Sequence, residues 1–399
     1  MEIKQAVILA GGRGERLRPF TDNKPKPMIP INGKPFLEYL IEMLKENGIE
    51  EVVILTGYLS EKIEEHFKDG SNFGINIEYS FTPFEDKNGQ ENESGIRIKN
   101  AEHLLNDKFL LMYCDNYWPV DLKKMIDFYN QMGRFAMTTV YNNKDGFGEY
   151  GKENNVWVSD DNCVLKYDRT RKDPNLNGVD MGFFILNKKI IDLIPEDNCH
   201  FEKEILPKLI SENQLAAYQT DHRYYFITDQ HSLKRAEKFL RPEKTIFLDR
   251  DGVINKKINN DYVRNWTQFE FLPESIEALK LLCQNDYQIY IITNQRGIAQ
   301  GLMSKDDLNN IHQRMEEELK KHNVTINKIY YCLHQEGECD CRKPKPGMLF
   351  RAANENYIDL SKAIFIGDDE KDLQAGQAAG CKTILIDKNK NLLSICESL

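Results

Sequence analysis

Twice along this chain, short β-rich apolar runs alternate with amphipathic helical stretches, and the second series starts afresh after a charged hinge. In the first series, Gln5–Leu9, Glu51–Thr56 and Phe109–Cys114 read as strands, with helices over Phe36–Asn47 and Ser60–Phe67. A helical segment, His231–Leu240, leads into the hinge Arg241-Pro242-Glu243-Lys244, and a new buried strand opens at Thr245–Leu248. Strands at Ile289–Thr293, Lys328–Cys332, Ala363–Ile366 and Thr383–Ile386 follow, with helices between them. Such alternation predicts two doubly wound, parallel α/β domains, over residues 1–240 and 244–399. With 399 residues and 41% hydrophobic content, each half has enough material for its own core. No internal repeat links the halves. The polar segment Phe84–Glu93 reads as a mobile loop.

A formal charge of −10 argues against general affinity for nucleic acid or anionic membrane, both of which need a basic surface. Phosphate binding must therefore be local, which points to small-molecule substrates. The N-terminus runs straight into a strand without a charged-then-apolar leader, and no apolar run approaches ~20 residues. A cytoplasmic enzyme is the expectation, with the oligomeric state left open. Of the nine cysteines, three crowd into Cys332–Cys341 beside a histidine, which favours metal ligation over a disulfide framework. The other six, Cys114 and Cys381 among them, read as small core hydrophobes.

In the second half, Asp249-Arg250-Asp251-Gly252 follows the strand directly, so both carboxylates emerge at its C-terminal end, where open α/β sheets bind ligands. Two acids at this spacing can divide labour: one attacks phosphorus, the other handles the proton of the leaving oxygen and of water, and magnesium neutralises the crowded charge. Three further pieces follow in order. Thr293-Asn294-Gln295 ends the next strand with a hydroxyl and amides for a phosphoryl oxygen, Arg342-Lys343-Pro344 supplies cations, and Gly367-Asp368-Asp369 brings another acid. Cys332, His334, Cys339 and Cys341 offer three thiolates and an imidazole, a closed ligand set suited to structural zinc. Its expected task is to pin the loop that delivers Arg342 and Lys343.

That four-motif succession, from Lys244 to about Lys388, resembles the haloacid-dehalogenase phosphohydrolase superfamily. The resemblance implies Asp249 as nucleophile, Asp251 as general acid/base, Thr293 and Lys343 as phosphate ligands, and magnesium held by Asp249, Asp368 and the main-chain carbonyl of Asp251. With DRDGVIN, Asp261-Tyr262-Val263, TNQRGIAQG and CRKPKPGM, the half is similar to the phosphatases that act on heptose 1,7-bisphosphate at the 7-position, and less closely to histidinol-phosphate phosphatases. It departs from the heptose enzymes in a short loop between His334 and Cys339, and in Asp369 where they carry a lysine.

The first half carries Ala10-Gly11-Gly12-Arg13-Gly14-Glu15-Arg16 after its first strand and Lys24-Pro25-Lys26-Pro27 soon afterwards. Glycines let backbone N–H groups of Ala10, Gly11, Gly12 and Gly14 approach a triphosphate, while Arg16 and Lys26 offset charge as pyrophosphate leaves. The pairing of this loop with the PKP segment resembles the sugar-1-phosphate nucleotidylyltransferases. That resemblance implies Asp115 as a magnesium ligand and Asn177–Leu186 as the sugar-binding strand, with Asp180 where asparagine is usual. A second acid is expected near Tyr225–Leu233, but Phe226 stands there. Asp229, Asp221, or the nucleotide's own phosphates remain as the alternatives.

Removing the 7-phosphate of heptose 1,7-bisphosphate leaves heptose 1-phosphate, the kind of acceptor a nucleotidylyltransferase needs. The composite resembles the family of bifunctional heptose-1-phosphate guanylyltransferases and heptose-1,7-bisphosphate 7-phosphatases, which make nucleotide-activated heptose for surface glycans. The resemblance alone names guanine; the residues leave base, sugar, anomer and transfer between sites open. Two other readings stay open as well. Both reactions act on a different phosphorylated sugar, or a histidinol-phosphate-type phosphatase carries a nucleotide- or sugar-sensing module.

Overall fold

Residues 2–259, 261–387 and 390–399 are described in the computed structural model, so Met1 and Lys388, which bound two of the ranges above, lie outside them. The chain divides into two units, Met1–Leu240 and Arg241–Leu399.

In the first unit, seven strands share one sheet: β1 (Gln5–Ala10), β2 (Glu51–Thr56), β3 (Asn76–Phe81), β4 (Lys108–Tyr113), β5 (Ala136–Tyr141), β6 (Val179–Asn187) and β7 (Leu215–Thr220), in the order β7-β5-β6-β4-β1-β2-β3. Every residue of β1 is buried, as a central strand covered on both faces requires. β6 runs antiparallel to both neighbours, so the sheet is mixed where an all-parallel one was expected. The connection explains it. Between β5 and β6 the chain forms only the hairpin strands Val156–Val158 and Val164–Tyr167, and a return without a crossover helix brings the strand back antiparallel.

Helix α1 (Phe36–Glu46) buries Phe36, Leu37, Leu40, Ile41 and Leu44, the three- and four-residue spacing of a single helical face. α2 (Ser60–Phe67), α3 (Leu122–Met132) and α4 (Gln230–Phe239) are amphipathic in the same way. The polar segment 84–93, expected to be a loop, folds back on itself as a turn. Glu85 bridges to Glu91, and Asp86 Oδ1 accepts the backbone N–H groups of Asn88 (2.7 Å) and Gln90 (2.9 Å).

The second unit has five parallel strands: β8 (Lys244–Leu248), β9 (Tyr287–Asn294), β10 (Lys328–Cys332), β11 (Ile364–Gly367) and β12 (Lys382–Leu385), ordered β10-β9-β8-β11-β12. Alternate residues of each strand enter opposite cores. Ile246, Leu248, Ile289, Ile291, Ile364 and Ile366 pack with α5 (Ser275–Gln284), α6 (Lys305–Lys321) and α9 (Leu392–Glu397). Phe247, Tyr290, Ile292, Tyr330 and Phe365 pack with α7 (Gly347–Asn356) and α8 (Glu370–Ala379). The two-residue period thus buries both faces.

The units share one rule. β1 lies between β2 and β4, and β8 lies between β9 and β11, so the direction of winding reverses beside the first strand. A crevice forms outside the carboxyl ends of the strands at such a reversal. All nine cysteines are free thiols; of the six outside the Cys332–Cys341 segment only Cys283 is not buried. Among the described residues no helix is long and apolar enough to cross a membrane.

Candidate active sites

At the reversal in the second unit, Asp249 follows β8 and Asp368 follows β11. The loop between Asp249 and Asn255 passes so close to β11 that a Cβ on Gly252 (φ +95°) would stand 2.2 Å from Asp368 Oδ2, and only glycine fits. Lys343, 4% exposed, reaches this floor from the loop after β10. Its Nζ lies 2.8 Å from Asp249 Oδ1 and 2.6 Å from Asp372 Oδ1, and donates to the carbonyl of Ile292 at 2.8 Å. Burial draws the ammonium down, but Asp249 and Asp372 outweigh it and raise the Lys343 pKa. Asn294, expected to meet phosphate directly, lines the cavity and also uses both ends of its amide on the Lys343 backbone (3.1 and 3.2 Å), which holds that loop.

Asp249, Asp368 and Asp372 each offer a carboxylate oxygen, all within 4.8 Å of one another. Asp368 Oδ1 is buried without a hydrogen-bond partner, as a cation ligand would be before its ion arrives. The Asp251 carboxylate stands apart from this trio, accepting from Arg250, Asn255 and Gln295. The two acids of the motif are consequently pushed in opposite directions. Burial raises the Asp249 carboxyl against the pull of Lys343, with Asp372 and Asp251 adding to the rise. Burial also disfavours the charge on Asp251, yet Arg250, Asn255 and Gln295 prevail and hold it below the usual aspartate range. Thr293, Arg342, Lys257 and Tyr262 complete the wall of a cavity of about 170 Å³.

Asp372 escaped sequence reading, although it lies four residues after Asp368, one helical turn away at the start of α8. Its Oδ2 accepts the backbone N–H groups of Asp368 and Asp369, both at 3.2 Å, and fixes the acidic loop. Gln295, which links Asp251 Oδ2 to Thr293 Oγ1 at 2.9 Å each, was legible only as the third letter of the TNQ motif.

Cys332, His334, Cys339 and Cys341 converge beside this site. Their sulfurs lie 3.2–3.6 Å apart, and His334 Nδ1 is 3.4 and 3.6 Å from the sulfurs of Cys341 and Cys332. A tetrahedral metal bound at zinc–sulfur and zinc–nitrogen lengths has edges of about 3.5–3.8 Å, close to this spacing. The donor set thus fits a closed metal centre, and Cys341 leads directly into Arg342 and Lys343.

In the first unit the reversal opens a cleft of about 860 Å³, lined by Gly11, Gly12, Gly14, Arg16, Lys26, Asp115, Glu149, Asp180 and Thr228 among others. Ala10 is 1% exposed and ends β1, so it carries the glycine loop and does not line the cleft. A Cβ on Gly11 would stand 2.3 Å from the buried Arg97 guanidinium, which donates to the carbonyls of Thr56, Thr82 and Asn92 and props the loop from below. Lys26 Nζ pairs with Asp115 Oδ2 at 2.5 Å. Arg16, 63% exposed, reaches Glu149 Oε1 at 3.4 Å, and Thr228 Oγ1 donates to the same oxygen at 3.2 Å.

Both aspartates considered as second metal ligands lie elsewhere. Asp229 caps α4, accepting Ser232 N–H at 2.7 Å, and Asp221 accepts from Asn142 at 3.0 Å. Strand pairing explains why. Ile227 N–H bonds the Asp115 carbonyl (3.0 Å), which puts Thr228, not Asp229, in the cleft. Among the acids that line the cleft, Glu149 carries a carboxyl raised by burial and by the Asp115 charge, against Arg16. Its loop, Asn142–Gly151, carried no motif to mark it. Asp180 Oδ1 accepts from Thr138 Oγ1 (2.6 Å) and Gly182 N–H (3.1 Å), and burial and Glu202 push its carboxyl up to about 7.

Comparison with known proteins follows the same division. Residues 5–240 match the family model described as nucleotidyl transferase, and residues 244–384 match that described as polynucleotide kinase 3 phosphatase. The chain is 43% identical over 143 residues to the D-glycero-alpha-D-manno-heptose-1,7-bisphosphate 7-phosphatase of Campylobacter jejuni, covering 36% of this chain and 81% of the relative. It is 42% identical over 156 residues to the D-glycero-beta-D-manno-heptose-1,7-bisphosphate 7-phosphatase of Pasteurella multocida, covering 37% and 84%. Identity therefore does not separate the two anomers. The crystal structure of HddC from Yersinia pseudotuberculosis matches 59% of this chain and 98% of its own, at 26% identity and a TM-score of 0.50. Through residues 5–240 the chain belongs to the nucleotidyl transferase family, and through its second unit to the D-glycero-D-manno-heptose-1,7-bisphosphate 7-phosphatases.

Proposed function

We propose that this is a bifunctional cytoplasmic enzyme. It removes the 7-phosphate of a heptose 1,7-bisphosphate and then transfers a nucleotidyl group, GMP from GTP, to the resulting heptose 1-phosphate. The observation that carries the reading is the presence of a phosphate-handling site at the strand-order reversal of each unit, with the product of one reaction being the acceptor for the other. In the phosphatase, Asp249 attacks phosphorus and the bond from phosphorus to the heptose oxygen breaks; Asp251, ionised in the free site, takes up a proton as the charge of the entering phosphate raises its pKa, and passes it to that oxygen. Water then attacks the acyl phosphate and gives its proton to Asp251, regenerating the Asp249 carboxylate and releasing phosphate. Lys343, Thr293 and Arg342 hold the phosphoryl oxygens.

Asp249, Asp368, Asp372 and the Asp251 carbonyl are the residues for magnesium, which when bound neutralises the charge of phosphate beside so many carboxylates. Zinc on Cys332, His334, Cys339 and Cys341 fixes the Arg342–Lys343 loop. In the transferase, backbone N–H groups of Gly11, Gly12 and Gly14 hold the nucleotide phosphates, and Lys26 and Arg16 stabilise the departing pyrophosphate. Asp115 and Glu149 are the magnesium carboxylates. Glu149, an acid of the same cleft whose carboxyl feels the Asp115 charge, supports a working transferase over a sensing module. Heptose 1,7-bisphosphate of each anomer, incubated with a mixture of four NTPs, tests the whole reading by mass spectrometry of products. GDP-heptose with released phosphate is expected; phosphate without any nucleotide sugar overturns the second activity, and no phosphate overturns the first.

A further inference from the structure

Arg250 sits between Asp249 and Asp251 in sequence, yet its side chain is 0% exposed and does not line the substrate cavity. A buried guanidinium needs partners, and two are built around it. Nη2 donates to both oxygens of Asp251, at 3.0 and 2.8 Å, and Nη1 donates to His312 Nε2 at 3.1 Å. His312 comes from the middle of α6 and is itself 7% exposed. Burial and the Arg250 charge, against Asp251, hold its pKa near 3, so the neutral ring presents a lone pair to the guanidinium. Asn255 and Gln295 each donate a further N–H to Asp251 at 2.9 Å, while Asp251 keeps 20% side-chain exposure and lines the cavity.

With Nη1 tied to His312 and Nη2 facing both carboxylate oxygens, the planar guanidinium is held in one orientation, and from there it fixes the place of the Asp251 carboxylate and limits its rotation. We propose that Arg250, anchored from behind by His312, is a positioning residue that holds the Asp251 carboxylate to receive the proton of the water that hydrolyses the aspartyl phosphate. The inference rests on Asp249 and Asp251 having the roles given above. In that step the water oxygen bonds to phosphorus, the bond from phosphorus to the Asp249 oxygen breaks, and the water proton passes to Asp251. Arg250 touches neither water nor phosphate.

Rapid-quench kinetics of the full-length chain with magnesium and 4-nitrophenyl phosphate test this, because nitrophenolate leaves without a proton and the first step needs little from Asp251. For Arg250→Met, nitrophenol release in the first turnover should stay within about threefold of wild type, while steady-state turnover falls about 10²-fold and phosphoenzyme accumulates. His312→Leu should show the same split, about tenfold, and His312→Gln, which keeps an acceptor near Nε2, should restore turnover. If Arg250→Met does not fold, the two His312 variants decide. A fall of both phases in equal proportion, no change in either phase, or equal behaviour of the leucine and glutamine variants overturns the positioning role. Absence of nitrophenol release from wild type overturns the underlying phosphatase reading as well.

Discussion

The two units place a strand-order reversal at the same point of their sheets and fill the resulting crevice in opposite ways. In the first, the cleft measures about 860 Å³ and its cations are spread along it, with Arg16 mostly exposed and Lys26 held by Asp115. In the second, about 170 Å³ encloses Lys343 between Asp249 and Asp372, with both partners nearly buried. Two ligands, a nucleoside triphosphate and a sugar phosphate, need room and charges able to follow departing pyrophosphate. A single phosphoryl group attacked by a carboxylate needs fixed charges in a low dielectric, where each interaction counts for more. The topology supplies the place, and the side chains at the strand ends decide the chemistry.

If the crevices work independently, damage to each should stay local. The largest effect is expected for Asp249→Asn: phosphate release falls by about 10⁴-fold or more, with nucleotidyl transfer within twofold of wild type. Lys26→Ala should do the reverse, lowering pyrophosphate formation about 10²–10³-fold and leaving phosphate release intact. Loss of both activities in either variant would break the comparison.

Smaller effects sharpen it. Cys339→Ser should reduce zinc from about one per chain, measured by elemental analysis, and lower phosphatase activity about 10–100-fold without touching transfer. Unchanged zinc content would remove the clip from the account. Glu149→Gln should raise the magnesium needed for half-maximal transfer about tenfold or more, and weaken manganese binding followed by its relaxation signal. Asp229→Ala should leave both readouts alone and cost about 1 kcal/mol of stability, seen as a lower Tm, because it removes only a helix cap. Ser232 holds the Asp229 carboxyl below its ordinary value. The cap is therefore fully present above the unfolded aspartate range and is lost as pH falls through the lowered folded value. A magnesium phenotype in Asp229→Ala would reinstate that residue as a metal ligand.

Much of this was legible in the chain because it depends on local pattern. Apolar alternation located β1, β2, β4 and the five strands of the second unit to within one or two residues, and side chains adjacent to strand ends had to emerge where the crevices lie. The cysteine spacing announced a donor cluster for the same reason, since Cys332 through Cys341 fold back over a short distance. The antiparallel β6 was less visible. Its direction follows from the lack of a crossover helix over residues 142–178, a stretch whose own hairpin has weak periodicity.

By itself, then, the sequence determined the two α/β halves, the acidic pair Asp249 and Asp251 at a strand end, the glycine loop with Lys26, and the thiol cluster, all of them carried by neighbours along the chain. Only the tertiary structure decided which distant groups complete each site. Glu149 enters the first cleft from a motif-free loop, while Asp229 is withdrawn to cap α4, because strand pairing beside Asp115 puts Thr228 there instead. Asp372 joins Lys343 across 29 residues and His312 stands behind Arg250 across 62. Partners so far apart meet through sheet order and helix packing, and a hydrogen bond or ion pair depends on that meeting at ångström scale, which no spacing along the chain encodes.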